Sequence, residues 1–76
     1  MKRSEFVGQL EEMVDAPPGS FKERDKLIDV GWESLSVVEF QSMLEGEFQR
    51  RVSLDQLVAC STVGDLVALV KDKLTD

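Results

Sequence analysis

Histidine is absent from the 76 residues, and cysteine occurs once, as Cys60. A lone cysteine cannot form an internal disulfide, and one cysteine without histidine cannot assemble a zinc cluster. Long apolar runs are missing too, and Met1-Lys2-Arg3 leads into a segment of mixed polarity, not into a signal-peptide core. These absences predict a cytoplasmic protein that holds no metal and spans no membrane.

Catalytic machinery is equally sparse. The sequence offers no histidine as a general base, no glycine-rich phosphate loop, and no pair of carboxylates that so short a chain could desolvate in a cleft. A domain of this size also buries little core. We therefore expect no intrinsic catalysis.

Positive charge is scarce, because 9 lysines and arginines stand against 15 aspartates and glutamates, for a net charge of −6. That balance repels phosphate backbones and argues against nucleic acid as a partner. No basic residue occurs between Leu27 and Gln49, and this stretch contains the acids Asp29, Glu33, Glu39, Glu45 and Glu47. We interpret it as an acidic patch that steers basic partner proteins. The alternative is an ordinary solvated helix face.

Apolar residues recur at helical spacing, and no segment has a convincing strand pattern. A first helix is predicted from about Ser4 to Val14, and two consecutive prolines then end it. Its apolar stripe comprises Phe6, Val7, Leu10, Met13 and Val14. Residues 21–33 follow as a long connection with Leu27, Ile28 and Val30 as its apolar anchors, and we expect Phe21 and Leu27 to be pinned to the core.

A second helix is predicted from roughly Leu35 to Gln49. Its apolar positions are Val37, Val38, Phe40, Met43, Leu44 and Phe48. They exceed what one narrow face needs, which suggests a core stripe plus a partly exposed apolar edge. Arg50 and Arg51 are predicted to complement the helix dipole at its C-terminal end.

A short third helix is predicted after Ser53, because Gln56 three residues later completes a capping box. The last helix is predicted to begin with Thr62 as its cap and Asp65 in its first turn, and to continue to the C-terminus. Its periodic apolar residues are Val63, Leu66, Val67, Leu69, Val70 and Leu74. The pattern predicts an all-α fold: a small four-helix bundle of three longer helices and one short helix, in a single domain, 1–76.

Ser34 stands where the long connection gives way to the second helix. A helix start offers unpaired backbone N–H groups and partial positive charge, so a serine there can carry a phosphate ester at low electrostatic cost. The alternative is that Ser34 only caps the helix.

The sequence resembles the acyl carrier protein family in the pattern Leu27-x-Asp29-Val30-Gly31-x-Glu33-Ser34-Leu35-x-x-Val38-Glu39-Phe40, followed by Leu44-Glu45-x-x-Phe48. The likeness continues in Thr62-Val63-x-Asp65-Leu66 and in the first helix, and so covers nearly the whole chain. It implies that a phosphopantetheinyl transferase attaches phosphopantetheine from coenzyme A to Ser34. Acyl groups would then be held as thioesters on the thiol of that arm.

The same resemblance implies a set of residues that meet partner enzymes: Glu33, Leu35, Val38, Glu39 and Glu45. The partners would be the transferase and acyl-processing enzymes with basic surfaces, such as synthases and acyltransferases, and the carrier itself would be a monomer. For Val38, simple core packing is an equal alternative.

Three residues depart from the family pattern. Glu33 replaces the aspartate usual before the serine, which keeps the charge on a longer side chain and could demand a dedicated transferase. Trp32 is bulky for its place and is predicted to pack at the core edge. Phe40 stands where leucine is common and is predicted to narrow any acyl cavity, favouring short or polar cargo. Cys60 is predicted to be a small buried hydrophobe.

Two classes of function remain open at this point. One is an acyl carrier of a fatty-acid, polyketide or specialised acyl-transfer pathway, which the start methionine and complete helical set favour as a free-standing protein. The other is an unmodified helical module that uses its acidic helix only to dock onto a basic protein. A peptidyl carrier is disfavoured, because Gly31-Trp32-Glu33-Ser34 does not supply the motif expected of one.

Overall fold

The computed structural model of the chain describes residues 1–75, which form a bundle of short helices. The α-helices are α1 (Arg3–Met13), α2 (Ser34–Phe48), α3 (Leu54–Val58) and α4 (Val63–Ala68), with 3-10 turns at Leu27–Asp29 and Lys71–Lys73. Residues 1–75 contain isolated bridges but no strand. The predicted all-α four-helix bundle, with a long connection between its first two helices, is confirmed. None of the helices in these residues is long and apolar enough to cross a bilayer.

Aromatic rings form the centre of the core. The ring of Phe6 on α1 packs edge-to-face against Phe40 at 5.9 Å and against Phe48 at 5.8 Å, both on α2. Trp32, in the connection, packs on Phe40 in the same way at 5.8 Å. The predicted core-edge packing of Trp32 is therefore confirmed, and Phe40 faces inward as expected.

The long connection is pinned to the bundle at several points. Phe21 and Leu27 are both buried, as predicted. The backbone N–H of Phe21 also donates to the Glu11 carboxylate at 2.9 Å, and Glu11 is buried on α1. Farther along, the N–H of Leu27 donates to the carbonyl of Ser61 at 2.9 Å. The connection is therefore a fixed part of the fold despite its length.

The two shorter helices begin at the predicted caps. Ser53 Oγ accepts from the Gln56 N–H at 3.2 Å, while Gln56 Oε1 accepts from the Ser53 N–H. Thr62 Oγ1 accepts from the Asp65 N–H at 3.1 Å. Backbone N–H donors also lower the pKa of the Asp65 carboxyl, chiefly that of Ser61, which lies 2.8 Å from it.

The predicted continuation of the last helix to the C-terminus is wrong, since α4 ends at Ala68 and leaves two longer and two shorter helices. The backbone has already tightened to i→i−3 hydrogen bonds at Leu69 and Val70, and a side chain from another helix end occupies the next carbonyl. Arg50 Nη1 donates to the Leu69 carbonyl at 2.6 Å, and that carbonyl would accept from Lys73 in a continuing α-helix. Lys73 donates instead to Val70 at 2.8 Å, which produces a 3-10 turn.

Arg50 consequently does not complement the dipole of α2, which corrects the sequence-based prediction. Its guanidinium reaches across to Asp72 and forms two hydrogen bonds of 2.8 Å. These bonds lower the pKa of Asp72 to about 2. Arg51 lies 3.4 Å from Glu45 and is largely exposed. Arg50 thus links the end of α2 to the 3-10 turn near the C-terminus, and Arg51 contacts a side chain of α2 itself.

We expect the Arg50–Asp72 pair to stabilise the fold in a pH-dependent way. The ordinary pKa of Asp72 is 3.8 and its folded-state value is about 2. Its contribution is therefore complete above the ordinary value and disappears as the pH falls toward the folded-state value. Urea unfolding of the wild type and of Asp72→Asn should give stability curves that converge between about pH 4 and pH 2. Parallel curves would contradict this, and Arg51→Gln serves as a matched surface control.

Candidate functional site

A tight turn sets the direction in which the chain enters α2. Gly31 has a φ of 84°, a left-handed conformation that glycine adopts without strain. The N–H groups of Val30 and Trp32 both donate to the Leu27 carbonyl, at 3.3 and 3.1 Å. Because Leu27 is buried and Trp32 packs on Phe40, both ends of this turn are anchored. The residue after Trp32 is therefore held at a fixed place on the bundle.

Glu33 is the residue that caps α2, and Ser34 is the first helical residue. Glu33 has extended backbone angles, with a φ of −142° and a ψ of −175°, and its N–H donates to Ser36 Oγ at 3.4 Å. Ser36 is buried, whereas Ser34 is exposed. Within residues 1–75, the Ser34 hydroxyl has no hydrogen-bond partner. The alternative that Ser34 only caps the helix is therefore wrong.

The surroundings of Ser34 suit an attached phosphodiester. As the first residue of a 15-residue helix, it lies among the unpaired N–H groups at the positive end of the helix dipole. Such positions favour negative charge. The hydroxyl is exposed and free of internal bonds, so attachment would break no interaction of the fold. The residues present therefore fit a phosphopantetheine group at Ser34.

Next to Ser34, α2 presents an outward face that mixes apolar and acidic side chains. Leu35 and Val38 are 66% and 53% exposed, and Glu39 and Glu45 are exposed as well. Ser34, Leu35, Val38 and Glu39 fall on one side of the helix because residues three and four apart are neighbours there. The core-packing alternative for Val38 is wrong.

Three further large apolar side chains are exposed outside α2, and the predicted anchoring role of Ile28 is therefore wrong. Ile28, in the connection, is 84% exposed, and Leu54 and Val58 on α3 are 51% and 70% exposed. α3 packs against α2, and the Gln41 side chain of α2 donates to the Val52 carbonyl just before α3, at 3.0 Å. A signal existed in the sequence: a five-residue helix buries only Leu57 and leaves its other large apolar residues without a core position.

The acidic character of this surface is partly offset at one position. Glu45 lies 3.4 Å from Arg51 Nε, so part of its charge is compensated. In residues 1–75, Glu33 and Glu39 take part in no ion pair. The acids nearest Ser34, Glu33 and Glu39, therefore keep their full charge for a basic partner.

Cys60 lies close to α3 but does not have the character of a reactive thiol. It is half-buried after the end of that helix, and Sγ lies 3.4 Å from the Gln56 carbonyl. Burial, assisted by the nearby Asp65, raises its pKa. A raised pKa leaves little thiolate at neutral pH, which is consistent with the packing role predicted for it.

Comparison with known protein families identifies this arrangement. The chain matches the family model described as "Phosphopantetheine attachment site" over residues 4–70, a span that includes α2, α3, α4 and nearly all of α1. Carrier domains of this family bear a covalently attached phosphopantetheine and are generally non-catalytic. No solved structure matches the chain.

Paired serine substitutions test whether Ser34 has a structural role. Ser34→Ala should change the free energy of unfolding by less than about 0.5 kcal/mol, because the hydroxyl bonds to nothing in residues 1–75. Ser36→Ala, the matched control, should cost about 1 kcal/mol, because Ser36 is buried and accepts from Glu33. Urea titration measures both. An equal loss in the two variants would make Ser34 a structural residue.

Proposed function

The chain belongs to the phosphopantetheine attachment-site family, and we propose that it is an acyl carrier whose attachment residue is Ser34. In this proposal, acyl intermediates are held as thioesters on the arm and are passed between enzymes of a fatty-acid, polyketide or specialised acyl-transfer pathway. Residues 1–76 would form one carrier domain, a monomer without catalysis of its own. Its location in the cytoplasm stays a prediction.

One observation carries the proposal: Ser34 is an exposed serine at the first position of a long helix, with its hydroxyl unbonded in residues 1–75. Ser36 is a poor acceptor because it is buried and already bonded. Ser42 is exposed but lies mid-helix, away from the free N–H groups of the helix start. Ser34 alone in α2 combines access with a favourable field for the phosphodiester.

The proposed attachment is a phosphoryl transfer in which this chain supplies only the nucleophile. Ser34 Oγ forms a bond to the phosphorus that carries pantetheine in coenzyme A. The bond between that phosphorus and the adenosine bisphosphate oxygen breaks, and the hydroxyl proton passes to a base of the transferase. The described residues near Ser34 supply no histidine for that step, which is consistent with the need for a separate enzyme.

The surface around Ser34 supports a role in transient docking. Leu35 and Val38 offer apolar contact, while Glu33, Glu39 and Glu45 offer charge that attracts basic enzymes. We add Ile28, Leu54 and Val58 to this proposed surface because they are exposed and apolar. A small surface of this kind favours rapid binding and release, as a shuttle between enzymes requires.

We expect the native chain, incubated with coenzyme A, magnesium and a broad-specificity phosphopantetheinyl transferase, to gain the mass of one phosphopantetheine. Ser34→Ala should gain none, and Ser42→Ala should be loaded like the wild type. Intact-protein mass spectrometry measures the change, and fragment spectra place it. Absence of loading with several transferases would favour the alternative of an unmodified docking module. Glu33→Asp would then show whether the longer acid blocks the generic enzyme.

We also predict that charge on α2 governs how fast the transferase recognises the carrier. Glu39→Lys should lower kcat/KM for loading several-fold at low salt, and the deficit should shrink as salt is added. Val38→Ser should lower kcat/KM at all salt concentrations, because an apolar contact is little affected by screening. Glu5→Lys makes the same charge change on the first turn of α1, outside the depression that Glu39 lines, and serves as the control. Equal losses for Glu39→Lys and Glu5→Lys would show an effect of net charge alone and would contradict a local docking surface.

A further inference from the structure

A second surface, opposite in charge to α2, has no part in the proposed carrier function. It is an open groove of about 880 Å³ between α1 and the connection that follows it. We call it the α1 groove. One wall is formed by α1 residues that include Val7, Gly8 and Glu11, and the other by residues 18–24 of the connection. Neither Ser34 nor any residue of α2 lines it.

Gly8 keeps the α1 groove open. It lies in the middle of α1, where glycine costs about 1 kcal/mol relative to alanine. A Cβ atom built at this position meets no atom within 4 Å, so close packing does not account for the glycine. Any larger side chain would occupy the groove. Val7 beside it is half-buried, and Phe21 on the facing wall is buried, so the interior is apolar.

The two carboxylates that line the α1 groove are already engaged. Glu23 forms an ion pair with Arg3 at 3.1 Å. Glu11 is buried and accepts from the Phe21 N–H at 2.9 Å. Arg3 therefore compensates the charge of Glu23, while Glu11 keeps its charge and is held in place beneath Phe21.

Two cations on the rim of the α1 groove have no carboxylate partner within residues 1–75. Lys22 and Arg24 are exposed on the connection side of the groove. Lys22 Nζ donates only to the Gly19 carbonyl, at 3.3 Å, and in residues 1–75 neither cation forms an ion pair. On a chain with a net charge of −6, this makes a local basic rim around an apolar interior.

We propose that the α1 groove is a docking site for an acidic amphipathic segment of a partner protein. The apolar side chains of that segment enter between Val7 and Phe21, and its carboxylates meet Lys22 and Arg24. The charge of the rim selects an acidic occupant, as the charge of α2 selects a basic one. The chain then has two docking surfaces of opposite charge, and one partner can hold it while another approaches Ser34.

A second copy of the chain is a poorer occupant than a different protein. The α2 surface is itself acidic and amphipathic, but each copy carries a net charge of −6, so two copies repel each other. A contact between the groove of one copy and α2 of the next is also heterologous. Such contacts build open filaments unless the rotation closes a ring. The occupant we infer is therefore another protein.

The test uses the full unmodified chain labelled with ¹⁵N, so it does not depend on whether Ser34 is loaded. The probe is a synthetic helical peptide with leucines on one face and glutamates on the other. Its control is the same peptide with lysines in place of the glutamates. We expect the glutamate peptide to shift the amide signals of Val7, Gly8, Phe21 and Arg24 and to leave Leu35 unmoved.

Two variants test the α1 groove, one by changing its volume and the other by changing its charge. Gly8→Leu should fill it while keeping the fold, because the added Cβ has space and leucine is the better helix former. Lys22→Glu with Arg24→Glu reverses the rim, and Lys71→Glu with Lys73→Glu makes the same charge change elsewhere. Both groove variants should bind the glutamate peptide at least about tenfold more weakly than the wild type. The control pair should bind within about twofold of it.

Four results of the peptide experiments would overturn the proposal. They are no amide shifts at millimolar glutamate peptide, shifts of the same amides by the lysine peptide, unchanged affinity in both groove variants, and an equal loss in the control pair. Sedimentation without peptide completes the test. Self-association of the wild type that Gly8→Leu abolishes would identify a second copy as the occupant, and would likewise overturn the proposal.

Discussion

The packing of one ring, that of Phe40, is the contact on which the rest of the structure depends. Its side chain is fully buried on α2 and meets Phe6 of α1 at 5.9 Å and Trp32 of the connection at 5.8 Å. Edge-to-face pairs of this kind add about 0.5–1.5 kcal/mol each beyond the burial of their area. Phe40 thus joins the two longest helices and also fixes the residue two places before Ser34. The exposure of Ser34 follows from this contact, because a looser connection would not hold the helix start in one orientation.

Features that depend on neighbours in the chain could be predicted from the sequence. The caps at Ser53 and Thr62 were correct, since a cap needs only a side chain and an N–H three residues later. The approximate bounds of α1 and α2 were also correct, because the apolar residues of a buried helix face recur at helical spacing along the local sequence. Even the edge packing of Trp32 followed from its size and its place beside a helix.

Features that depend on contacts between distant segments could not be predicted. Nothing near Glu11 in the sequence indicates that its carboxylate is buried under the amide of a residue ten positions away. The turn that follows α4 involves Arg50, whose side chain donates to a carbonyl 19 residues later in the sequence. At the site itself, the sequence placed Ser34 at the helix start but left open whether Ser34 only caps the helix. The answer depends on the turn that the buried Leu27 anchors and on the exposure of Ser34 and burial of Ser36 that follow from it.

The aromatic edge at the helix start also makes the chain its own optical probe. Trp32 is the only tryptophan in the sequence, and tyrosine is absent. Indole emission therefore comes from one place, in contact with Phe40 and two residues before Ser34. Its colour and intensity respond to the polarity of that single environment. Tryptophan fluorescence from this protein therefore reports on the local environment two residues before Ser34.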